Sequence, residues 1–381
     1  MNFPYIRDIN GVYDHIVGYE DAIQIKLNEW NGVQYYSVFY IYNKPGLFDN
    51  PVRRECRGMI FDADGYIRRR PFHKFFNLSE VRETSYKRVM DRILRGEEHW
   101  ITEKLDGSMI APFTLNGDIV LGTKAGVTEI SESIPWSCIS SESALWIRSN
   151  VFQSRTPIFE FVSPDNRIVI EYDKPRLVYL AMRDNHTGEY IEPDEPYPGP
   201  VVHPYQGQHS FDTYVKKVSG EQGREGDVLT FRDGMRVKIK CAWYVNLHNV
   251  LKDIALPYKV ARLAWGGNVD DIYPMLPEDM RSAVEGQCND FLMAVSAEHE
   301  RLKGVLDRFS EWWITSSGDR KSVAVDFVPT LDRPEDAKYV FACLDYKDIP
   351  AMWFDEIDKK VLSSQTQYEA FMERANRDVL Q

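Results

Sequence analysis

Residues 103–108 read Glu103-Lys104-Leu105-Asp106-Gly107-Ser108. Lys104, Asp106, Gly107 and Ser108 fit the pattern K-x-D-G-S, which chance yields in roughly one chain of this length in several hundred. A lysine amine is a nucleophile only when neutral, and its ordinary pKa is about 10.4. Desolvation or neighbouring cations lower that value. The chain supplies cations at 236–240, RVKIK. Lys238 and Lys240 are two apart and share one face of a strand, while Val237 and Ile239 take the other and enter the core. Such a lysine pair at a strand end makes a site for phosphates and favours the neutral form of a nearby lysine. Glu160, within FEFV at 159–162, is a carboxylate out of pattern on a strand unless it faces a site. Glu225, in EGDV at 225–228, stands just before the hairpin that carries the two lysines. Two carboxylates beside a phosphate site suggest a divalent metal or contacts to a sugar hydroxyl.

Working outward, VQYYSVFYI at 34–42 and RGMIFD at 57–62 read as strands. Residues 79–95 have near-helical apolar spacing, with Ser79 as N-cap and Gly96 as stop. Residues 109–123 read as a hairpin closed by Asn116-Gly117, since both residues tolerate positive φ. Residues 132–152 read as helical despite Pro135. PIFEFV and RIVIEY read as strands around the turn at 164–166, followed by the strand RLVYLAM. Residues 183–210, with five prolines and three glycines, read as irregular loop, and 226–240 as a further hairpin. From Tyr244 onward helical periodicity dominates. The pattern predicts an α+β domain of antiparallel strands, residues 1–245, and an all-α domain, residues 246–381.

The 381 residues carry 46 Lys+Arg and 58 Asp+Glu, a net charge of −12. That sum argues against a protein that simply coats nucleic acid. The charge is uneven. Residues 53–95 hold twelve basic and six acidic residues, as a localised anion site would, whereas 251–381 hold sixteen basic and twenty-four acidic. Five scattered cysteines with no CxxC pair exclude a disulfide framework and a zinc site, and indicate a reducing compartment. No apolar run is long enough for a membrane helix, and the start MNFPYIRDIN lacks the layout of a secretory signal.

K-x-D-G-S, FEF, EG and K-x-K, in this order, resemble the motifs of the covalent nucleotidyltransferases. ECRG at 55–58, KFFN at 74–77, EFVSPDNRIV at 160–169, RDNHTGEY at 183–190 and VKIKCAWYVNLH at 237–248 resemble the RNA ligase 1 family of T-even bacteriophage type. The resemblance covers about residues 30–250 and implies an adenylation domain with ATP-grasp-like antiparallel sheets, followed by a helical domain that biases substrate choice. It implies an ATP-dependent enzyme that joins 5′-phosphate and 3′-hydroxyl RNA ends. Lys104 would be the nucleophile that takes AMP, with Arg57, Lys238 and Lys240 as the other catalytic groups. Tyr40, Lys74, Phe76, Gly107, Lys124, Glu160, Glu225, Gly226 and Tyr244 would complete the nucleotide site. Glu160 and Glu225 would hold Mg²⁺, or Mn²⁺ in its place, and Asp270 and Asp271 resemble a second acidic pair associated with metal. The implied setting is repair of broken RNA, tRNA above all, by a monomer in the cytoplasm of a phage-infected bacterium, away from membranes. A DNA ligase or guanylyltransferase of the same superfamily, and a non-catalytic RNA-binding protein on a dead ligase fold, stay open as alternatives.

Overall fold

A computed structural model describes residues 1–205, 210–316 and 318–379, with side chains at 271, 275, 279 and 377–379 left aside. The chain divides into two compact units, residues 1–246 and 247–381. Among its described residues the first holds twelve strands: β1 (Ile23–Trp30), β2 (Val33–Tyr40), β3 (Arg57–Asp62), β4 (Ile67–Arg69), β5 (Phe76–Asn77), β6 (His99–Lys104), β7 (Ser108–Leu115), β8 (Asp118–Gly122), β9 (Arg155–Val162), β10 (Arg176–Asp184), β11 (Gly226–Phe231) and β12 (Arg236–Lys240). They form three four-stranded sheets in the orders β1-β2-β3-β4, β10-β9-β7-β8 and β5-β12-β11-β6. All pairs are antiparallel except β5 with β12. The helices of this unit that matter below are α1 (Tyr86–Leu94), α2 (Ser141–Phe152) and α3 (Phe211–Gly220). The second unit is helical among its described residues and is built around α4 (Glu278–Thr315). Its core joins Ala261, Phe291, Leu302, Trp353, Ile357 and Phe371. The α+β class and the antiparallel sheets therefore agree with the sequence pattern. No described helix is long and apolar enough to cross a membrane.

The sequence pattern misplaces three elements. RIVIEY forms no strand, because the backbone N–H groups of Val169 and Ile170 bond the carboxylate of Asp106, both at 2.8 Å, and not a neighbouring strand. The helix expected from Ser79 starts at Tyr86. Ser79 sits at φ 66°, outside the helical region, and closes a turn in which its N–H donates to Thr84 O. Residues 132–152 split, with the main helix α2 opening after Ser140, whose hydroxyl accepts from Ser143 N. The Asn116-Gly117 turn has φ values of 47° and 85°, as a tight hairpin between β7 and β8 requires.

Three buried arginines carry the scaffold. Arg69 donates to the carbonyls of Gly58, Ala111 and Gly122 at 3.0 Å and of Thr123 at 2.7 Å. It thereby ties the first sheet to the strands β7 and β8 of the second. Burial pushes its guanidinium down to about 9. Arg70 and Arg183 converge on Glu55, and all three side chains are almost fully enclosed. Burial opposes ionisation of Glu55, but Arg183 and Arg70 outweigh it and hold the carboxyl at about 2. Several other arginines of 53–95 are also tied internally. Arg54 pairs with Glu83, Arg68 with Asp62, and Arg92 with Glu97 and Asp233.

Arg69→Met keeps the length of the side chain but strands four buried carbonyls without their donor. A loss of at least about 3 kcal/mol is expected, since each unsatisfied buried group costs about 1–3. Denaturant unfolding measures it, and a midpoint equal to wild type would show that the four bonds contribute nothing.

Candidate active site

The pairing of β6, β11 and β12 sets the site. Gly226 lies opposite Lys104 on one side and Lys240 on the other, so the three residues stand abreast. Gly226 leaves the space between the lysines open. It has φ 137°, and an added Cβ would lie 2.2 Å from Ile239 O. The residue before it, Glu225, is 3% exposed and reaches both ammoniums, with Oε2 at 2.6 Å from Lys104 Nζ and Oε1 at 2.8 Å from Lys240 Nζ. Lys238 stands one rung further along the same face of β12. Val237 and Ile239 are buried on the other face.

The turn after Lys104 is fixed by Asp106. Its Oδ2 accepts from Val169 N and Ile170 N, and its Oδ1 accepts from the Tyr244 hydroxyl at 2.7 Å. Its backbone N–H donates to the Tyr172 hydroxyl at 3.0 Å. Gly107 is pressed on β9, where a Cβ would lie 2.3 Å from Phe161 O. Any larger residue there would push the lysine turn off the sheet. Asp106 and Tyr172 thus anchor the site; Asp106 belongs to the K-x-D-G-S string, whereas no pattern in the sequence marks Tyr172. The Tyr244 ring also lies 5.0 Å below Lys240 Nζ.

The other cations gather around aromatic rings. Arg57 and Lys238 sit over Phe75, at 5.5 and 4.7 Å. Lys74 lies over Tyr40, Phe48 and Phe76, and Lys124 over Tyr40, where its Nζ also donates to Tyr40 O at 3.1 Å. Phe76 itself is 3% exposed and packs within the core beneath the first sheet, so the ring that meets Arg57 and Lys238 is its neighbour Phe75. Of the basic segment 53–95, Arg57 and Lys74 join this cluster, while Arg54 lies 5.5 Å from the Phe76 ring but pairs with Glu83.

The electrostatics record the crowding of like charge. Burial, followed by Arg57, Lys104, Lys74 and Lys240, pushes Lys238 down to about 6. Burial, then Arg57 and Lys74, lowers Lys124. Burial works to raise Tyr40, but Arg57, Lys74 and Lys124 together bring it below the ordinary phenol value. Neither Lys74 nor Lys238 has an ion-pair partner among the described residues, and the buried Nη1 of Arg57 has no hydrogen-bond acceptor. Uncompensated basic groups with an unfilled donor make a receptor for a polyanion such as a chain of phosphates, which would favour the charged form of Lys238.

Glu160, on β9, is raised to about 7 by burial, with Glu225 acting in the same direction and Lys104 against it. Among the described residues no cluster of three or more His, Cys, Asp or Glu is arranged to hold a metal. Glu225 commits both oxygens to lysines, which leaves Glu160 as the open carboxylate. That arrangement fits Mg²⁺, which is commonly held by one or two carboxylates together with substrate phosphates. Asp270 is exposed on a short helix of the second unit, and the side chain of Asp271 lies outside the described residues.

Residues 55–244 match the family model for RNA ligases. The chain is 30% identical over 249 residues to a provisionally assigned RNA ligase of Thermovibrio ammonificans, covering 62% of this chain and 64% of that protein. It is 28% identical over 293 residues to RNA ligase 1 of bacteriophage TS2126, covering 70% of this chain and 67% of that one. The matched stretches thus span about two thirds of the length of these two relatives. Among solved structures, an archaeal ATP-dependent RNA ligase superposes over 87% of this chain and 86% of its own, with a TM-score of 0.44 and 13% identity, too distant to bear on the assignment. Over residues 55–244 the chain belongs to the RNA ligase family.

Near neutral pH, Lys238 is largely unprotonated because its value lies at about 6. A bound polyanion would favour its charged form and also the protonated form of Glu160, so both groups would take up protons. Binding of inorganic triphosphate at pH 7.5 should therefore show net proton uptake, read as a dependence of the calorimetric heat on buffer ionisation. Lys238→Met should reduce that uptake. Net proton release on binding would contradict the arrangement.

Proposed function

We propose that the protein is an ATP-dependent RNA ligase that works through lysyl-AMP. The observation that carries this is the position of Lys104: on a sheet edge, held by Glu225 beside Lys240, and bordered by Arg57, Lys74 and Lys238. The lysine must first give up its proton and leave Glu225. Its neutral Nζ then attacks the α-phosphate of ATP, a phosphorus–nitrogen bond forms, and pyrophosphate departs with the electron pair of the broken P–O bond. Arg57, Lys238 and Lys240 would stabilise charge on the phosphate in flight, and Lys74 and Lys124 would hold the remaining anionic oxygens. Mg²⁺, or Mn²⁺ in its place, would be held by Glu160 and the phosphates and would neutralise charge on the leaving pyrophosphate.

In the second step an oxygen of the RNA 5′-phosphate attacks the lysyl-AMP phosphorus. The P–N bond breaks, Lys104 regains a proton, and an A(5′)pp(5′)RNA end results. In the third, the 3′-hydroxyl of the other RNA end attacks the activated 5′-phosphate, loses its proton, and AMP leaves. Positioning carries most of the acceleration, as is general for phosphoryl transfer. Tyr244 and Asp106 contribute by fixing the lysine turn.

We further propose that the natural RNA is a broken tRNA, repaired in the cytoplasm of a phage-infected bacterium by a monomer. In this reading the helical unit, which starts near residue 246, helps to select it. The bacteriophage relative supports this setting. So does the name of a baculovirus relative, a provisionally assigned bifunctional polynucleotide kinase and RNA ligase, 28% identical over 256 residues, because a kinase supplies the 5′-phosphate that sealing consumes.

Incubation with ATP labelled at the α-phosphate should transfer label to the protein, and Lys104→Ala should abolish it. Label accepted only from GTP would overturn the assignment in favour of a guanylyltransferase. Given 5′-phosphate RNA and a nicked DNA duplex in parallel, the protein should seal the RNA. Sealing of the DNA nick alone would sink the RNA reading.

A further inference from the structure

Beside the lysine turn lies a second cavity, of about 730 Å³, that the adenylation chemistry does not use. It opens where the two edge strands β6 and β10 approach. The segment 200–205 bridges those edges, with Tyr179 N donating to Pro200 O at 2.8 Å and Tyr205 N to Ile101 O at 2.8 Å. Leu105, next to the nucleophile, and Val162, two residues beyond Glu160 on β9, form part of its wall.

Its polar lining is chemically uneven. Arg224 is consumed internally, by Glu221 at 2.8 Å, by Gly226 O at 2.7 Å, and by Asp227. Arg176 is not. Its buried Nε has no acceptor, it has no ion-pair partner among the described residues, and its guanidinium lies 5.7 Å from the Tyr172 ring. Lys217, exposed on α3, likewise has no ion pair among the described residues. Glu103, in the same wall, has no ion pair among the described residues, and Tyr205 offers a ring that is 40% exposed. Two free cations, one of them a planar fork, suit phosphate oxygens. A free carboxylate suits a ribose hydroxyl, and an exposed ring suits a base.

We propose that this cavity seats a nucleotide of the RNA strand, with Arg176 and Lys217 on its phosphates and Glu103 on a ribose hydroxyl. The inference rests on the RNA-joining reading above and deepens it. It places a strand contact one residue from Lys104, on a side of the turn that the nucleotide site leaves free. Tyr172 links the two sites, since its ring borders Arg176 and its hydroxyl accepts from the backbone of Asp106.

The test measures binding of a single-stranded 5′-phosphate RNA to the wild type, Lys217→Ala and Arg176→Gln between 50 and 200 mM salt, together with lysyl-AMP formation in the absence of RNA. Each variant should form lysyl-AMP as the wild type does and bind RNA several-fold more weakly. Each should also lower the slope of log affinity against log salt by about 0.7, the share of one phosphate contact on a single strand. Wild-type affinity and slope in both variants, or weaker binding with an unchanged slope, would overturn the inference. Lys217 is on the surface, so its replacement keeps the test decisive if Arg176→Gln folds poorly. Absence of lysyl-AMP in the wild type would overturn the ligase reading instead, while the salt slope would still decide the cavity.

Discussion

Concentrating like charges in a protein interior is unfavourable, and the site of this protein depends on one carboxylate that makes it tolerable. Glu225 is almost fully buried and ion-paired to both Lys104 and Lys240. Two ammoniums on neighbouring positions of a sheet repel, and a carboxylate between them converts that repulsion into two short attractive contacts. Among the described residues no second carboxylate forms an ion pair with Lys74, Lys238 or Arg57. Their neighbours are the rings of Phe75, Phe76 and Tyr40, whose faces attract cations but do not cancel charge. The site is therefore neutralised at Lys104 and left positive at Arg57 and Lys74 beside it, which is the distribution that a phosphate chain completes.

The scaffold uses positive charge differently. Arg69, Arg70 and Arg183 are deeply buried, yet their donors are matched by carbonyls and by Glu55. Satisfied in this way they act as cross-ties between segments far apart in sequence. A local count of basic residues cannot separate the two uses. Within residues 53–95 several basic residues serve as structural ties, Arg54 among them, while Arg57 and Lys74 stand at the site without an acidic partner among the described residues.

What the sequence makes legible follows from range. Hairpins such as 109–123 and 226–240 are local, set by turn residues and alternation, and they form where those signals place them. The K-x-D-G-S string and the K-x-K pair are also visible, because their spacing alone fixes a shared face. The role of Asp106 is not, since its partners Val169, Ile170 and Tyr244 are 63, 64 and 138 residues away. The same bonds explain why RIVIEY looks like a strand and is none. Its β-branched residues suit a sheet, but its donors are taken by a carboxylate from elsewhere in the chain. Phe75 and Phe76 show a subtler limit, for adjacent aromatic residues look alike in sequence until the strand assigns each to a face.

The register that sets Lys104, Gly226 and Lys240 abreast also carries a consequence for synthesis. Lys104 and Glu225 are 121 residues apart, so the clamp is a long-range contact of the kind that forms late in folding. During translation the chain emerges from its N-terminal end. A nascent chain that has presented its lysine turn still lacks Glu225 and both motif lysines. The anion receptor is complete only once β11 and β12 have been made and paired, so a chain cut short before residue 225 carries Lys104, Arg57 and Lys74 but neither the carboxylate clamp nor Lys238 and Lys240.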